Sequence, residues 1–165
     1  MVRVHSIVSV QTKSINSLAF NLVAILGDAR QGQIADQPGA VDVVRMIMRE
    51  LEAITSKMGI QLDVPMEERI TSTLGSRGHT MSGLHDLRCG RHGEVSDIFA
   101  CFRTLGSAFG IALPTTSACV ALYELRRVTA ADARAVAAAS AASLKASPSS
   151  PDIGELRRLS SVSGC

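Results

Sequence analysis

Residues 82–114, SGLHDLRCGRHGEVSDIFACFRTLGSAFGIALP, contain the pattern that decides the fold. Between Glu94 and Phe109 apolar residues recur at steps of three and four, which predicts a helix with one apolar face. A carboxylate in the first turn, such as that of Glu94, is favoured by the positive end of the helix dipole, and Gly110 is a typical residue to end the helix. The pattern therefore predicts a buried helix with Glu94 at its start, and residue type alone favours a purely structural role for Glu94.

Other stretches also show helical periodicity and no strand pattern of useful length. The further predicted helices are Ser14–Leu26, Ala40–Met58, Met66–Leu74, a short segment at Ser82 and a helix after Pro114. The glycine, glutamine and proline content of residues 29–41 predicts a loop. The helix that starts at Met66 carries Glu67, Glu68 and Arg69, so we expect it at the surface. The sequence therefore predicts an all-α fold, a compact bundle of five or six helices.

Composition excludes several classes of protein. The chain has 165 residues, 46% of them hydrophobic and 19% charged, which is typical of one globular domain with a real core. A formal net charge of +2 is too small to indicate a nucleic-acid partner. No apolar run is long enough to cross a membrane, and the four cysteines form no CxxC motif. We therefore expect a cytoplasmic protein with reduced thiols.

Histidines near the quoted stretch raise the question of a metal site. His79, His85 and His92 share this region with Asp86 and Glu94, but their spacing does not match a zinc motif. We interpret them as ordinary polar histidines and predict no metal. The sequence contains neither GxGxxG nor a P-loop motif, so its cofactor-binding residues are unknown.

The C-terminal part of the chain differs in composition from the rest. Residues 129–145 are rich in alanine and could be helical by propensity. Residues 146–165 are rich in serine and proline, and we expect them to be disordered. The predicted organisation is a helical domain over residues 1–128 and a tail over residues 129–165.

Two stretches resemble one enzyme family. The run from Met81 to Leu87, then Gly90-Arg91, Glu94 and the run from Gly110 to Pro114 resemble the substrate-domain pattern of the ketopantoate reductases (2-dehydropantoate 2-reductases), approximately TSMLQDLxxGRxxEID, a helix, then GIPTP. Residues 13–26, KSINSLAFNLVAIL, are similar to the first helix of that domain, approximately KLxxNxxxNPxxAL. The resemblance implies a helical fold like the C-terminal domain of 6-phosphogluconate dehydrogenase.

The resemblance also implies roles for five residues. Lys13 falls on the catalytic lysine of the family, and Glu94 on the glutamate that binds the substrate hydroxyl and keeps the lysine charged. Ser82 matches the serine that binds the substrate carboxylate, and Asn21 would orient the substrate. Ser17 stands where the family has an asparagine, so it would be a weaker donor. We therefore expect Lys13 and Glu94 to converge on a single cleft.

The implied reaction is hydride transfer from NADPH to 2-dehydropantoate, a small 2-oxo acid, giving pantoate for pantothenate biosynthesis. In the family a Rossmann domain that holds the dinucleotide precedes this helical domain. We expect this chain to lack that domain, and to act as an enzyme only if another chain supplies a nucleotide-binding half or if that half was lost from the gene model. The partners we expect are a separate nucleotide-binding chain or a second copy in a homodimer. Two alternatives stay open. The chain could be a non-catalytic, truncated relative that serves as a helical interaction or ligand-binding module, or it could act on a different 2-oxo acid.

Overall fold

Helices account for most of the chain that the structure describes. The computed structural model describes residues 2–91 and 93–146, and the side chains of residues 11–91 and 93–143. Within these ranges there are seven helices: α1 (Val2–Gly27), α2 (Gln31–Ala35), α3 (Pro38–Lys57), α4 (Met66–Gly75), α5 (Ser82–Arg88), α6 (Val95–Phe109) and α7 (Pro114–Ala146). The predicted all-α fold class is therefore confirmed.

Helix α1 lies at the centre of the core. It packs against α3, α5 and α6, and its side chains Ile15, Leu18 and Leu22 are fully buried. The helix begins at Val2, well before the predicted start at Ser14. Lys13 consequently lies in the interior of a long helix rather than in a first turn, so the positive end of the dipole does not act on it. In the part of the chain that the structure describes, no helix has the length and apolarity needed to cross a bilayer.

Helix α2 forms where the sequence predicted only a loop. Its backbone amides at Gln31 and Gly32 donate to the carbonyl oxygens of His79 and Arg77, at 3.1 and 2.9 Å. A Cβ atom on Gly32 would lie 2.8 Å from the Arg77 carbonyl oxygen, so the close approach of the two segments requires glycine. The partners in these contacts lie in a distant segment of the chain. The periodicity of five residues therefore could not predict α2. Because of α2, the described helices number seven rather than five or six.

Helix α7 is longer than expected. It extends to Ala146 through the alanine-rich stretch, so Arg126 and Arg127 lie within it and not near its C-terminal end. The chain divides into two units, residues 1–131 and 132–165. The predicted disordered tail falls almost entirely on residues 147–165, which lie outside the described residues.

Helix α6 ends as the sequence predicts. Gly110 adopts a left-handed conformation with a φ of 67° directly after the last helical residue. The amide of Ile111 then donates to the carbonyl oxygen of Gly106 at 2.8 Å, which satisfies one of the otherwise unpaired carbonyls of the last turn.

A side chain from α3 caps the start of α7. The two carboxylate oxygens of Glu50 accept hydrogen bonds from the amides of Thr115 and Thr116, at 2.8 and 2.9 Å, and from the Thr116 hydroxyl at 2.6 Å. The first amides of a helix have no partner within the helix, and the positive end of its dipole favours a carboxylate. Glu50 therefore fastens the N-terminal end of α7 to α3.

We predict that Glu50→Ala destabilises the protein by about 1–2 kcal/mol, because it leaves three donors at the start of α7 without their acceptor. Urea unfolding followed by circular dichroism measures this free energy. The control is Arg49→Ala at the preceding, exposed position of α3, for which we expect a change within about 0.5 kcal/mol. Equal stabilities of the two variants would contradict the capping role.

We predict that the cysteines differ in reactivity. Cys119 is 8% exposed, and burial raises the pKa of its thiol, whereas Cys89 and Cys101 are exposed. Since the thiolate is the reactive form, iodoacetamide near pH 8 should modify Cys119 about tenfold more slowly, or slower still, than the other two. Peptide mass spectrometry at successive times measures each rate. In denaturant the three rates should become similar, and rapid native labelling of Cys119 would contradict its burial in the core.

Candidate functional site

A polar cavity lies beside α1, and we call it the lysine cavity. Its volume is about 570 Å³. Its walls come from α1, the loop between α3 and α4, α4 and the start of α5. The lining residues are Thr12, Lys13, Asn16, Ser17, Phe20, Asp63, Val64, Thr73, Met81 and Ser82. Three of the five predicted site residues, Lys13, Ser17 and Ser82, are therefore brought together.

The lysine cavity offers hydrogen-bond donors together with one carboxylate, that of Asp63. Lys13 contributes an exposed ammonium group, and it is the one cation among the lining side chains just named. The hydroxyls of Ser17 and Ser82 add donors nearby, and Phe20 adds an apolar surface. An ammonium with adjacent hydroxyls can bind a carboxylate or polarise a carbonyl oxygen.

Asn21 lies behind the wall of the cavity and holds that wall in place. Its side chain is buried, and its Oδ1 accepts a hydrogen bond from the amide of Gly83 at 2.8 Å. Its Nδ2 donates to the carbonyl oxygen and the hydroxyl of Ser17, at 2.8 and 3.1 Å. The amide predicted to contact a substrate is thus occupied within the protein. It ties the start of α5, which carries Ser82, to the central helix.

Glu94 lines a different cavity, which we call the glutamate cavity. Its volume is about 390 Å³, and it is lined by Gln11, Ser14, Glu94, Asp97, Ile98, Cys101, Phe102 and Leu105. Glu94 itself is exposed and occupies the N-cap position of α6, as its helix-start interpretation requires.

The expected convergence of Lys13 and Glu94 on one cleft is not what the described residues show. Successive residues of a helix are rotated by about 100°, so the α1 residues of the two cavities face directions roughly 160° apart. Lys13 faces the lysine cavity, whereas its neighbour Ser14 faces the glutamate cavity. The two cavities thus lie on opposite sides of α1. The sequence pattern could not reveal this, because the relevant contacts join distant segments.

Two polar residues of the site were missed by the sequence analysis. Asn16 lines the lysine cavity, although it is rotated from Ser17 by about 100° along the helix. Arg69 was expected at the surface with the rest of α4, but it is 5% exposed and donates to the side chain of Asn16. Met66, Ile70 and Leu74 recur at four-residue steps in α4 and contact the core, and this apolar spacing was the local signal that one face of α4 points inward.

Residues that could bind a metal ion do not form a cluster among the described residues. No group of three or more His, Cys, Asp or Glu side chains lies close enough together there to hold an ion. His92, one of the three histidines considered above, lies outside the described residues. The prediction that the protein binds no metal stays a prediction.

The fold and the lysine cavity define an all-α domain whose polar cavity lies along its central helix. The family described as ketopantoate reductase PanE/ApbA C terminal matches residues 10–127, which is more than half of the chain. The chain therefore belongs to the ketopantoate reductase family, and the matched part is the C-terminal domain.

Individual relatives agree with this assignment. A 2-dehydropantoate 2-reductase of Mesorhizobium japonicum is 27% identical over 106 residues, which cover 64% of this chain and 32% of the relative. The crystal structure of a PanE/ApbA family ketopantoate reductase from Ralstonia eutropha superposes with a TM-score of 0.67 at 22% identity, over 74% of this chain and 41% of that chain. The structural likeness shows the fold. The chain spans about a third of the length of the curated relative.

We predict that Gly83→Ala is destabilising by about 1–3 kcal/mol, because the contact between α1 and α5 is too close for a side chain. A Cβ atom at residue 83 would lie 2.6 Å from Asn21 Oδ1. Gly39→Ala in α3 is the matched control, since its Cβ would meet no atom within 4 Å. That control should be neutral or stabilising by up to about 1 kcal/mol. Urea unfolding measures both changes, and a Gly83→Ala protein as stable as wild type would contradict the close packing.

Proposed function

We propose that this chain is the substrate-binding helical domain of a 2-dehydropantoate 2-reductase, and that the lysine cavity binds the 2-oxo acid. One observation supports this most strongly. Lys13 and Ser17 lie one turn apart on α1 and Ser82 is far from both in the sequence, yet all three were matched to substrate-site positions of the family and line the same cavity.

The chemistry of Lys13 fits the reduction of a ketone. When hydride adds to the 2-oxo carbon, the carbonyl π electrons move to oxygen and negative charge develops there. An ammonium beside that oxygen stabilises the charge and transfers a proton from Nζ to it, which yields the 2-hydroxy acid and a neutral amine. Water then returns the proton to Lys13. In this proposal Ser82 binds the substrate carboxylate, and Ser17 adds a weaker hydrogen bond.

Asn21 and Glu94 have indirect roles in the proposed substrate binding. Asn21 orients the substrate indirectly, through Ser17 and through the start of α5. Glu94 lines the opposite side of α1, so a direct role with Lys13 requires the substrate, or a shift of α1, to connect the two cavities.

The reductant in this proposal is NADPH, held outside the described residues. The residues that the structure describes include no strand followed by a glycine-rich loop and helix, so they do not fit the pyrophosphate of NADPH. The hydride of NADPH would reach the substrate from a nucleotide-binding domain outside these residues, on a separate chain or in a longer form of this protein. A role in pantothenate biosynthesis and a cytoplasmic location belong to the same proposal.

A second candidate function is ligand binding without reduction. The separation of Lys13 from Glu94 favours it, because a binding module needs the ammonium and the hydroxyls but not the glutamate. The same cavity and the same ligand chemistry serve both candidates, so binding and turnover have to be measured separately.

We predict that pantoate, the stable product of the proposed reaction, binds in the lysine cavity. Titration of the ¹⁵N-labelled 165-residue chain should shift the amide signals of Lys13, Ser17 and Ser82 in two-dimensional NMR spectra. Lys13→Met should weaken the affinity about tenfold, because it removes a hydrogen bond between charged groups. Lys57→Met, at the exposed C-terminal end of α3, should leave the affinity unchanged. The absence of any pantoate-dependent shift around the cavity would overturn the proposed function.

Turnover distinguishes the two candidates. Oxidation of NADPH in the presence of 2-dehydropantoate is followed at the absorbance band of the nicotinamide. Any activity should disappear in Lys13→Ala, and its loss in Glu94→Gln as well would show that the glutamate takes part. Binding of pantoate without turnover, in the presence of a nucleotide-binding domain from a relative, would favour the ligand-binding module.

A further inference from the structure

A buried arginine lies directly behind the lysine cavity. Arg69 lies in α4 and is 5% exposed, although arginine is rarely buried to this extent without partners. Its partners come from three other parts of the chain. Nη1 donates to Oδ1 of Asn16 at 2.7 Å, Nε donates to the carbonyl oxygen of Val64 at 3.2 Å, and Nη2 forms an ion pair with Glu52.

These contacts place one guanidinium between α1, α3, α4 and the loop that precedes α4. Burial lowers the pKa of Arg69, but an arginine stays charged at neutral pH even so. The carboxylate of Glu52 compensates for the loss of hydration, and Nη1 and Nε bind the two uncharged acceptors. The planar group therefore fixes its acceptors in direction as well as in distance.

Both uncharged acceptors belong to walls of the lysine cavity. Asn16 lines it from α1, and Val64 lines it from the loop between α3 and α4. Arginine has donors only, so the atom of Asn16 that faces Arg69 has to be the carbonyl oxygen. Arg69 therefore holds the oxygen end of the Asn16 amide, and the amide nitrogen, which only donates, is the end that Arg69 does not hold.

We propose that Arg69 is a positioning residue that orients Asn16 and Val64, so that the lysine cavity presents donors to an acceptor-rich anion before the ligand arrives. The identity of that anion as a 2-oxo or 2-hydroxy acid rests on the proposed function. The orientation of Asn16 does not. Fixing polar groups in advance reduces the entropy lost on binding and keeps the donors aimed at the ligand.

The orientation is tested first in the free, wild-type 165-residue chain. Nuclear Overhauser contacts are expected between the guanidinium protons of Arg69 and the side-chain amide protons of Asn16, whose signals are assigned by their disappearance in Asn16→Ala. In Arg69→Lys and Arg69→Met these amide signals should move or broaden. Missing contacts in wild type, or unchanged amide signals in folded Arg69 variants, would overturn the proposal.

Arg45→Met is the matched control. Arg45 also joins α3 to α4, through hydrogen bonds to Glu67 at 2.6 and 2.9 Å, but it bonds no residue of the lysine cavity. Loss of this ion pair should leave the Asn16 signals and the pantoate affinity unchanged. Equal effects of Arg45→Met and Arg69→Met would show that any weakening of α3 against α4 disturbs the cavity, which would overturn a specific role for Arg69.

A double-mutant cycle tests whether Arg69 acts through Asn16. Arg69→Lys and Asn16→Ala should each raise the dissociation constant of pantoate by about tenfold. If Arg69 acts mainly by orienting Asn16, Arg69→Lys should add little in the Asn16→Ala background, and fully additive effects would overturn this route. If wild type binds no pantoate, the proposed function fails. The NMR contacts of the free protein then still decide the positioning role.

Discussion

The enclosure of α1 is the constraint on which the rest of the structure depends. Because α1 is packed against α3, α5 and α6, the polar side chains on its packed faces need partners within the protein. Asn21 does so with the amide of Gly83, and Asn16 does so with the guanidinium of Arg69. The bond from Gly83 to Asn21 holds the start of α5 against α1. The bond from Arg69 to Asn16 holds α4 against α1. Two walls of the lysine cavity thus depend on the partners that these two buried or half-buried asparagines of the central helix find.

The parts of the fold that follow from local rules could be predicted from the sequence. The apolar periodicity of α3 and α6 and the left-handed stop at Gly110 are properties of a few turns of chain, and they appear where expected. Helix α2 could not be predicted, because five residues show no useful period and are held by amide bonds to the residues before α5. The early start of α1 was missed because the polar residues Arg3 and His5 interrupt the apolar pattern there.

The family resemblance identified residues of the candidate site, but it did not predict how they are arranged in space. Lys13, Ser17 and Ser82 line one cavity, but the resemblance gave no sign that Glu94 faces another. Arg69 was invisible for a related reason. Its charge suggests the surface, and only acceptors from two distant helices and a loop make its burial possible. Such pairings between distant segments leave no local pattern in the sequence.

The two cavities share α1 as a common wall, and this has a mechanical consequence. Thr12 and Lys13 line the lysine cavity, and Gln11 and Ser14 line the glutamate cavity, so a single turn of α1 contributes to both walls. As a rigid helix, α1 cannot move away from one cavity without moving toward the other. A ligand in either cavity that displaces α1 must therefore change the volume of the other cavity. Movement of this one helix would couple binding events at two separate sites.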